Sequence, residues 1–280
     1  MKIKKNRIIV DKNITILVGL FVSIVLFLGD IYAYPQQKIK DFYLSNVTED
    51  GSNHWEVKGQ EALVYDGFVD ITDMEANYST EKDNVFVTSK EAKLNKENMD
   101  IQLNKDVYVK NQDGVTLTTE SLNWKKRKNQ IETKEFVKTG NDSLQITATG
   151  MNADTQLKEA DFGKDVEAVV LDEKNKNPTT ITCDGSLEIE YVIGKAVFNK
   201  NVIVTNNQGK LFSDKATLFF DSKAKAIIKI VSEGNVKIVR DDNVTFAQKA
   251  VYLGKEQKLV LEGKPRLIYF PQEDDNFVLY

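Results

Sequence analysis

Leu187-Glu188-Ile189-Glu190-Tyr191-Val192-Ile193 is the clearest statement of local structure in the chain. Alternation puts Leu187, Ile189, Tyr191 and Ile193 on one face of a strand and both glutamates on the other. One face is dry and one is wet. Working outward, short segments of the same kind recur beyond residue 50, and no stretch holds a helical period for long. Residues that tolerate positive φ punctuate them at Asp66-Gly67, Asp113-Gly114, Asn206-Asn207-Gln208-Gly209 and Asp241-Asp242-Asn243. The fold class read from this pattern is all-β, built of short antiparallel strands.

The pattern also repeats over a longer distance. Asp106-Val107-Tyr108-Val109, Asn201-Val202-Ile203-Val204 and Asn235-Val236-Lys237-Ile238 align. Ten residues after each first valine stand Leu117, Phe212 and Phe246; fourteen after, Ser121, Ala216 and Ala250; seventeen after, Trp124, Phe219 and Leu253. Looser copies begin near Val137, with Ile146 following, and near Val166. Starts at 107, 137, 166, 202 and 236 are about one hairpin pair apart, the mark of stacked units sharing a continuous core. A lone hairpin is marginal in water, so each unit needs its neighbours. The polar stretch Asp172 to Pro178 reads as a connecting loop over 172–179 between two halves that stack.

At the N-terminus, Lys2, Lys4, Lys5, Arg7 and Lys12 face Asp11 alone. Removing these five bases and one acid from 38 and 42 leaves 33 basic against 41 acidic residues, dispersed along the chain. That balance does not suit a nucleic-acid groove, so no nucleic-acid partner is expected. After the basic cluster, Ile14 to Leu28 is uncharged, and Ile31 to Tyr34 extend it to the ~20 residues of a membrane span. The positive-inside rule then gives a cytoplasmic segment 1–13, a transmembrane anchor 14–34 and a linker 35–50. The rest of the chain lies outside the cytoplasm. A cleaved signal peptide is the alternative, with Ala33 at the cleavage position but Ile31 a poor partner two places earlier.

Other features carry less chemistry. A single cysteine, Cys183, and a single histidine, His54, make neither an internal disulfide nor a metal site, and no cofactor is expected. Glu188 and Glu190 are a carboxylate pair of the type used on sugars, but no histidine, arginine clamp or glycine-rich loop accompanies them. They read as a solvated face, and the chain as a non-enzyme. Lys125-Lys126-Arg127-Lys128 follows Trp124 in an expected turn, where it is solvated or attracts lipid phosphates.

The order of phrases resembles the periplasmic lipopolysaccharide-transport proteins, with an LptC-like part over 51–171 and an LptA/OstA-like part over 180–272, then a tail 273–280. The phrases are Trp55-Glu56-Val57-Lys58-Gly59-Gln60-Glu61-Ala62, Gly114 to Trp124 and Ile146 to Asp154 in the first part. In the second they are Ile181-Thr182-Cys183-Asp184-Gly185-Ser186-Leu187, Asn201 to Val204, Leu211 to Ala216, and Leu261-Glu262-Gly263-Lys264-Pro265-Arg266-Leu267. The chain departs from an ordinary LptC-like protein by its length after the anchor. The resemblance implies an elongated, twisted β-jellyroll open along one side, in a single-pass inner-membrane protein whose bulk is periplasmic. It implies lipopolysaccharide accepted from an inner-membrane ABC transporter and passed toward the outer membrane.

Exposing each CH₂ of an acyl chain costs ~0.8 kcal/mol, so an apolar trough is the physical requirement for such a crossing. Val107, Val109, Leu117, Ile146, Val202, Val204, Phe212, Phe219, Val236, Ile238 and Phe246 are the candidate lipid-binding residues of that trough. Unpaired edge strands near Asn53 to Val57 and near Arg266 to Phe270 are expected to dock on the transporter and on a further periplasmic or outer-membrane bridge component. Two other readings are a structural or adhesive β-solenoid without lipid cargo, whose interior is filled, and a carbohydrate-active β-helix with convergent carboxylates in a cleft.

Overall fold

The computed structural model describes residues 34–47, 53–80, 84–155, 159–171, 178–221 and 226–268. The anchor read over 14–34 lies outside these residues apart from Tyr34, as do residues 172–177 and the tail 273–280. Among the described residues no helix is long and apolar enough to cross a membrane.

The described chain is nearly all strand, as the alternation requires. The first stretch gives β1 (Gln37–Val47), β2 (Asn53–Val64), β3 (Phe68–Thr80), β4 (Asn84–Asn95) and β5 (Ile101–Asn111). Next come β6 (Thr116–Lys125), β7 (Gln130–Gly140), β8 (Leu144–Asp154) and β9 (Glu159–Leu171), with one 3-10 turn at Lys126–Lys128. The remainder is β10 (Pro178–Cys183), β11 (Leu187–Glu190), β12 (Lys195–Asn206), β13 (Gly209–Asp221), β14 (Ala226–Arg240), β15 (Asn243–Leu253), β16 (Lys258–Glu262) and β17 (Arg266–Ile268).

All 17 belong to one antiparallel sheet in which each strand pairs with the next along the chain. Two places need care. β10 and β11 together fill the space between β9 and β12, and β16 and β17 both pair with β15. Each pair is one strand interrupted in the middle, at Asp184-Gly185-Ser186 and at Gly263-Lys264-Pro265. Among the described residues the sheet is open at both ends, with β1 at one edge and β16–β17 at the other.

The long strands are interrupted in the same place by bulges, which bend them. At many of these bends the backbone is left-handed: Asp41, Asp73, Asp106, Asp165, Asn201 and Asn235 have φ of 48°, 48°, 52°, 53°, 51° and 46°. Asn and Asp tolerate that region because their short side chains bond locally. Here Asn201 Nδ2 donates to Asp184 at 2.7 Å and Asn235 Nδ2 to Asp214 at 2.9 Å, linking neighbouring bends. This gives the repeat its physical meaning. The Asp or Asn before Val107, Val166, Val202 and Val236 is the bend, and the valine is the first inward residue beyond it.

All five repeat valines are sealed: Val107, Val137, Val166, Val202 and Val236 expose 1% or less. They face small partners, Thr119, Ala148, Cys183, Ser213 and Ala247, in the adjacent strands. Residues on both sides of the bend, such as Phe162 and Val166 or Phe198 and Val202, fall in one buried cluster. The two arms of each strand therefore close on one another around a shared apolar interior. Cys183 belongs to it as a small hydrophobe, and burial pushes its thiol pKa up.

Three expectations are corrected by the sheet. The strand quoted first ends at Glu190: Glu190 pairs with Lys195, and residues 191–194 form a turn that carries Val192 and Ile193 into solvent. Gly194 makes this possible, because φ is +63° and a Cβ there would stand 2.0 Å from the Phe220 carbonyl oxygen. Residues 37–47 of the expected linker 35–50 are strand β1, paired along its length with β2. Consequently the N-terminal edge is β1, and Asn53 to Val57 is an interior strand.

Candidate functional site

Following the pairing register across the sheet picks out one inward row. It reads Leu44, Val57, Ala76, Val87, Val109, Leu117, Thr139 and Ile146 through the first eight strands. It continues as Ala168, Ile181, Val204, Leu211, Ile238, Thr245 and Leu267. Thirteen of these fifteen positions are apolar and the other two are threonine. At ~4.8 Å between strands the row is about 65–70 Å long measured along the sheet. Its middle is sealed, with Ile146, Ala168 and Ile181 at 2%, 2% and 1% exposure, while Leu44 and Leu267 at its ends are 53% and 63% exposed.

The candidate lining residues divide on this geometry. Val109, Leu117, Ile146, Val204 and Ile238 lie in the row, and Val107, Val202 and Val236 lie beside it at the bend. Phe212, Phe219 and Phe246 are on the opposite face. Phe212 stands opposite Lys237, whose Nζ is 5.7 Å from the ring centroid; Phe219 lies under Lys229 at 4.7 Å and Phe246 under Arg266 at 6.0 Å. The cause is turn length. Asn111 bonds Val115 across a three-residue turn, whereas Asn206 pairs with Gly209 and Arg240 with Asn243 across two-residue turns. One residue fewer flips every following side chain to the other face. The tenth residue after the valine thus points inward as Leu117 and outward as Phe212 and Phe246.

Inward residues outside the repeat alignment are Phe162, Ile181, Leu187, Phe198 and Leu218, all in the buried cluster. Phe162 and Phe198 each stand four residues before a repeat valine, Val166 and Val202, on the other side of the bend. Trp124 is inward with its Nε1 buried and unpartnered, and Trp55 is 38% exposed.

The outer face carries the charges. Glu188 and Glu190 stand directly opposite Asp161 and Glu159 in β9. Lys195 Nζ binds Glu190 at 2.7 Å, and Asn199 Nδ2 donates to Glu188 at 3.1 Å. Burial first and the Glu188 charge second raise the Asp161 pKa. A carboxyl whose folded pKa lies above its unfolded value favours the fold while protonated, and that stability is lost as pH rises from the ordinary Asp range through the raised value, leaving the ionised group destabilising. Asp161→Asn is therefore expected to stabilise the protein at pH 7 by roughly 0.2–1 kcal/mol, as expected for removing a like-charge cross-strand pair. Urea midpoints at pH 7 and pH 3 check it, because the gain should vanish at the lower pH. Among the described residues no group of three or more His, Cys, Asp or Glu is placed to hold a metal. In the basic turn, Lys125 pairs with Glu132 at 2.6 Å and Arg127 Nη2 donates to the Glu97 carbonyl at 3.1 Å, so these cations are engaged locally.

Comparison with curated proteins finds no match. Two protein families do match, in series. Residues 180–278 match the LptA/(LptD N-terminal domain) LPS transport protein family. Residues 32–171, half of the chain, match the lipopolysaccharide-assembly, LptC-related family. The inward row crosses from one matched region into the other at the Ala168–Ile181 pair, and the chain belongs to the LptC-related lipopolysaccharide-assembly family, carrying an LptA-type region directly after it.

Proposed function

We propose that the chain is a membrane-anchored bridge component that accepts lipopolysaccharide from an inner-membrane ABC transporter and passes it toward the outer membrane along the inward row. In this reading the bent sheet is an elongated, twisted β-jellyroll open along the side away from the bends. The observation that carries the proposal is the continuous row, apolar at all but two threonines, running through both matched regions with exposed ends. A lipid with several acyl chains needs shielding over its whole path, and a row of near-uniform chemistry offers it without a deep well at any step. The chain has no phosphate-binding loop, so work is supplied by the ATP-consuming partner.

The two edges suit the two hand-overs. β1 carries Ile39, Tyr43 and Leu44 at 41%, 59% and 53% exposure beside an unpaired backbone edge, and we assign it to the transporter side. β16–β17, with Leu267 and Ile268 exposed, is assigned to the next bridge component. Residues 14–34 anchor the chain, with the folded part in the periplasm.

Acyl chains rest on the half-buried members of the row, Val109, Val204 and Ile238, and not on the sealed valines at the bend. A photo-crosslinking residue at each of these, in cells, is expected to give lipopolysaccharide adducts, and the same residue at Phe212 or Glu188 on the outer face is expected to give none. Absence of adducts at all three inward positions would transfer the reading to a structural β-solenoid, whose filled interior the sealed valines already suit.

A further inference from the structure

The turn at Tyr191–Gly194 differs from the polar turns of the sheet. Asn207-Gln208, Asp241-Asp242 and Lys126-Arg127-Lys128 are polar tips, whereas this one presents Val192 and Ile193 at 75% and 60% exposure. β-branched residues gain nothing from such a site in backbone terms, since turns favour Gly, Asn, Asp and Pro. Beside the turn, the Phe220 amide donates to the Gly194 carbonyl at 2.8 Å, and Phe220 pairs with Ile227. Ile228, displaced by the irregularity at that point, is 56% exposed. Val192, Ile193 and Ile228 thus share one rim of the sheet.

Two further observations say what covers this patch. It is continuous with the interior: Tyr191, Phe220 and Ile227 pack against the buried cluster, and the Tyr191 and Phe220 rings meet edge to face at 6.3 Å. It is also flanked by cations. Lys229 lies over Phe219, which stands opposite Lys195, itself bound to Glu190. An apolar tip leading inward, beside Lys229 on the outer face, complements a molecule with an acyl tail and an anionic head.

We infer that the Tyr191–Gly194 turn with Ile228 is a lateral lip of the second half, over which an acyl chain of lipopolysaccharide passes between the outside and the interior while Lys229 attracts its phosphates. The inference rests on the transport reading and deepens it, because it lets lipid enter or leave partway along the row as well as at the ends.

The test uses the full chain in its membrane, with a photo-crosslinking residue at Ile193, at Val204 in the interior, or at Asn207 on the opposite rim. Lipopolysaccharide adducts are expected at Ile193 and Val204 and not at Asn207. Val192→Ser combined with Ile193→Ser is expected to lower the adduct of a photo-crosslinking residue at Ile228 about tenfold, since two apolar contacts are removed from the lip. The thermal midpoint should be unchanged, because both side chains are exposed. Adducts at Val204 with none at Ile193, an unchanged Ile228 yield in the double variant, or capture of a protein or a phospholipid at Ile193 would each overturn the lip while leaving transport standing. Loss of labelling at both Val204 and Ile193 would overturn transport itself, and the lip with it.

Discussion

Phe162→Ala is expected to destabilise the whole described sheet by about 3–5 kcal/mol, the usual cost of emptying a buried aromatic site. Phe162 is 2% exposed in β9 and stands opposite Met151 on one side and Leu187 on the other, so its ring joins the two family-matched regions. The hydrogen-bonded ladder continues through β9 into β10 and β11, and the buried cluster runs from Met74 to Leu218 across the same junction. Both regions should therefore lose stability together. Urea denaturation followed by Trp55 and Trp124 fluorescence, and separately by a probe on the second region, should give coincident transitions shifted by the same amount. Separate transitions, with only one of them shifted, would mean that the regions fold independently and that the interior is not one cooperative unit.

The second large effect is expected at Gly194→Val. A non-glycine residue in the left-handed region costs about 1–2 kcal/mol, and a β-branched one is worse placed than most. Here the added Cβ would also stand 2.0 Å from the Phe220 carbonyl oxygen, which is backbone and has nowhere to go without opening the β12–β13 ladder. Together these should cost at least about 2 kcal/mol. Gly67→Ala is the control, because a Cβ there meets nothing within 4 Å, and its effect should stay within about 0.5 kcal/mol. Midpoints in urea at constant m distinguish the two, and a Gly194→Val protein as stable as Gly67→Ala would mean that the turn rearranges freely.

The sequence by itself determined the class of structure and its repeat. Alternation of period two cannot be accommodated by a helix, and the Asp or Asn before Val107, Val166, Val202 and Val236 marks a left-handed bend that few other residues accept. For that reason Val107, Val137, Val166, Val202 and Val236, chosen from spacing alone, all proved sealed. The order of phrases likewise anticipated the two families and their sequence along the chain.

Only the tertiary structure decided which face each aromatic occupies. Phe212, Phe219 and Phe246 sit outside because parity is carried through a turn, and a turn of two residues or three looks much alike in sequence while differing by a full reversal of the following strand. The turn at Val192-Ile193 was hidden for a related reason: local propensity favoured strand, and the ladder from Glu190 to Lys195, made possible by Gly194, overrode it. Strand β1 was hidden because the left-handed bend at Asp41 interrupts its alternation, so that Ile39 and Phe42 rather than residues two apart face Ala62 and Gly59 of β2. Periodicity is a property of one strand, but the apolar row on which function is proposed to rest is a property of all of them in register.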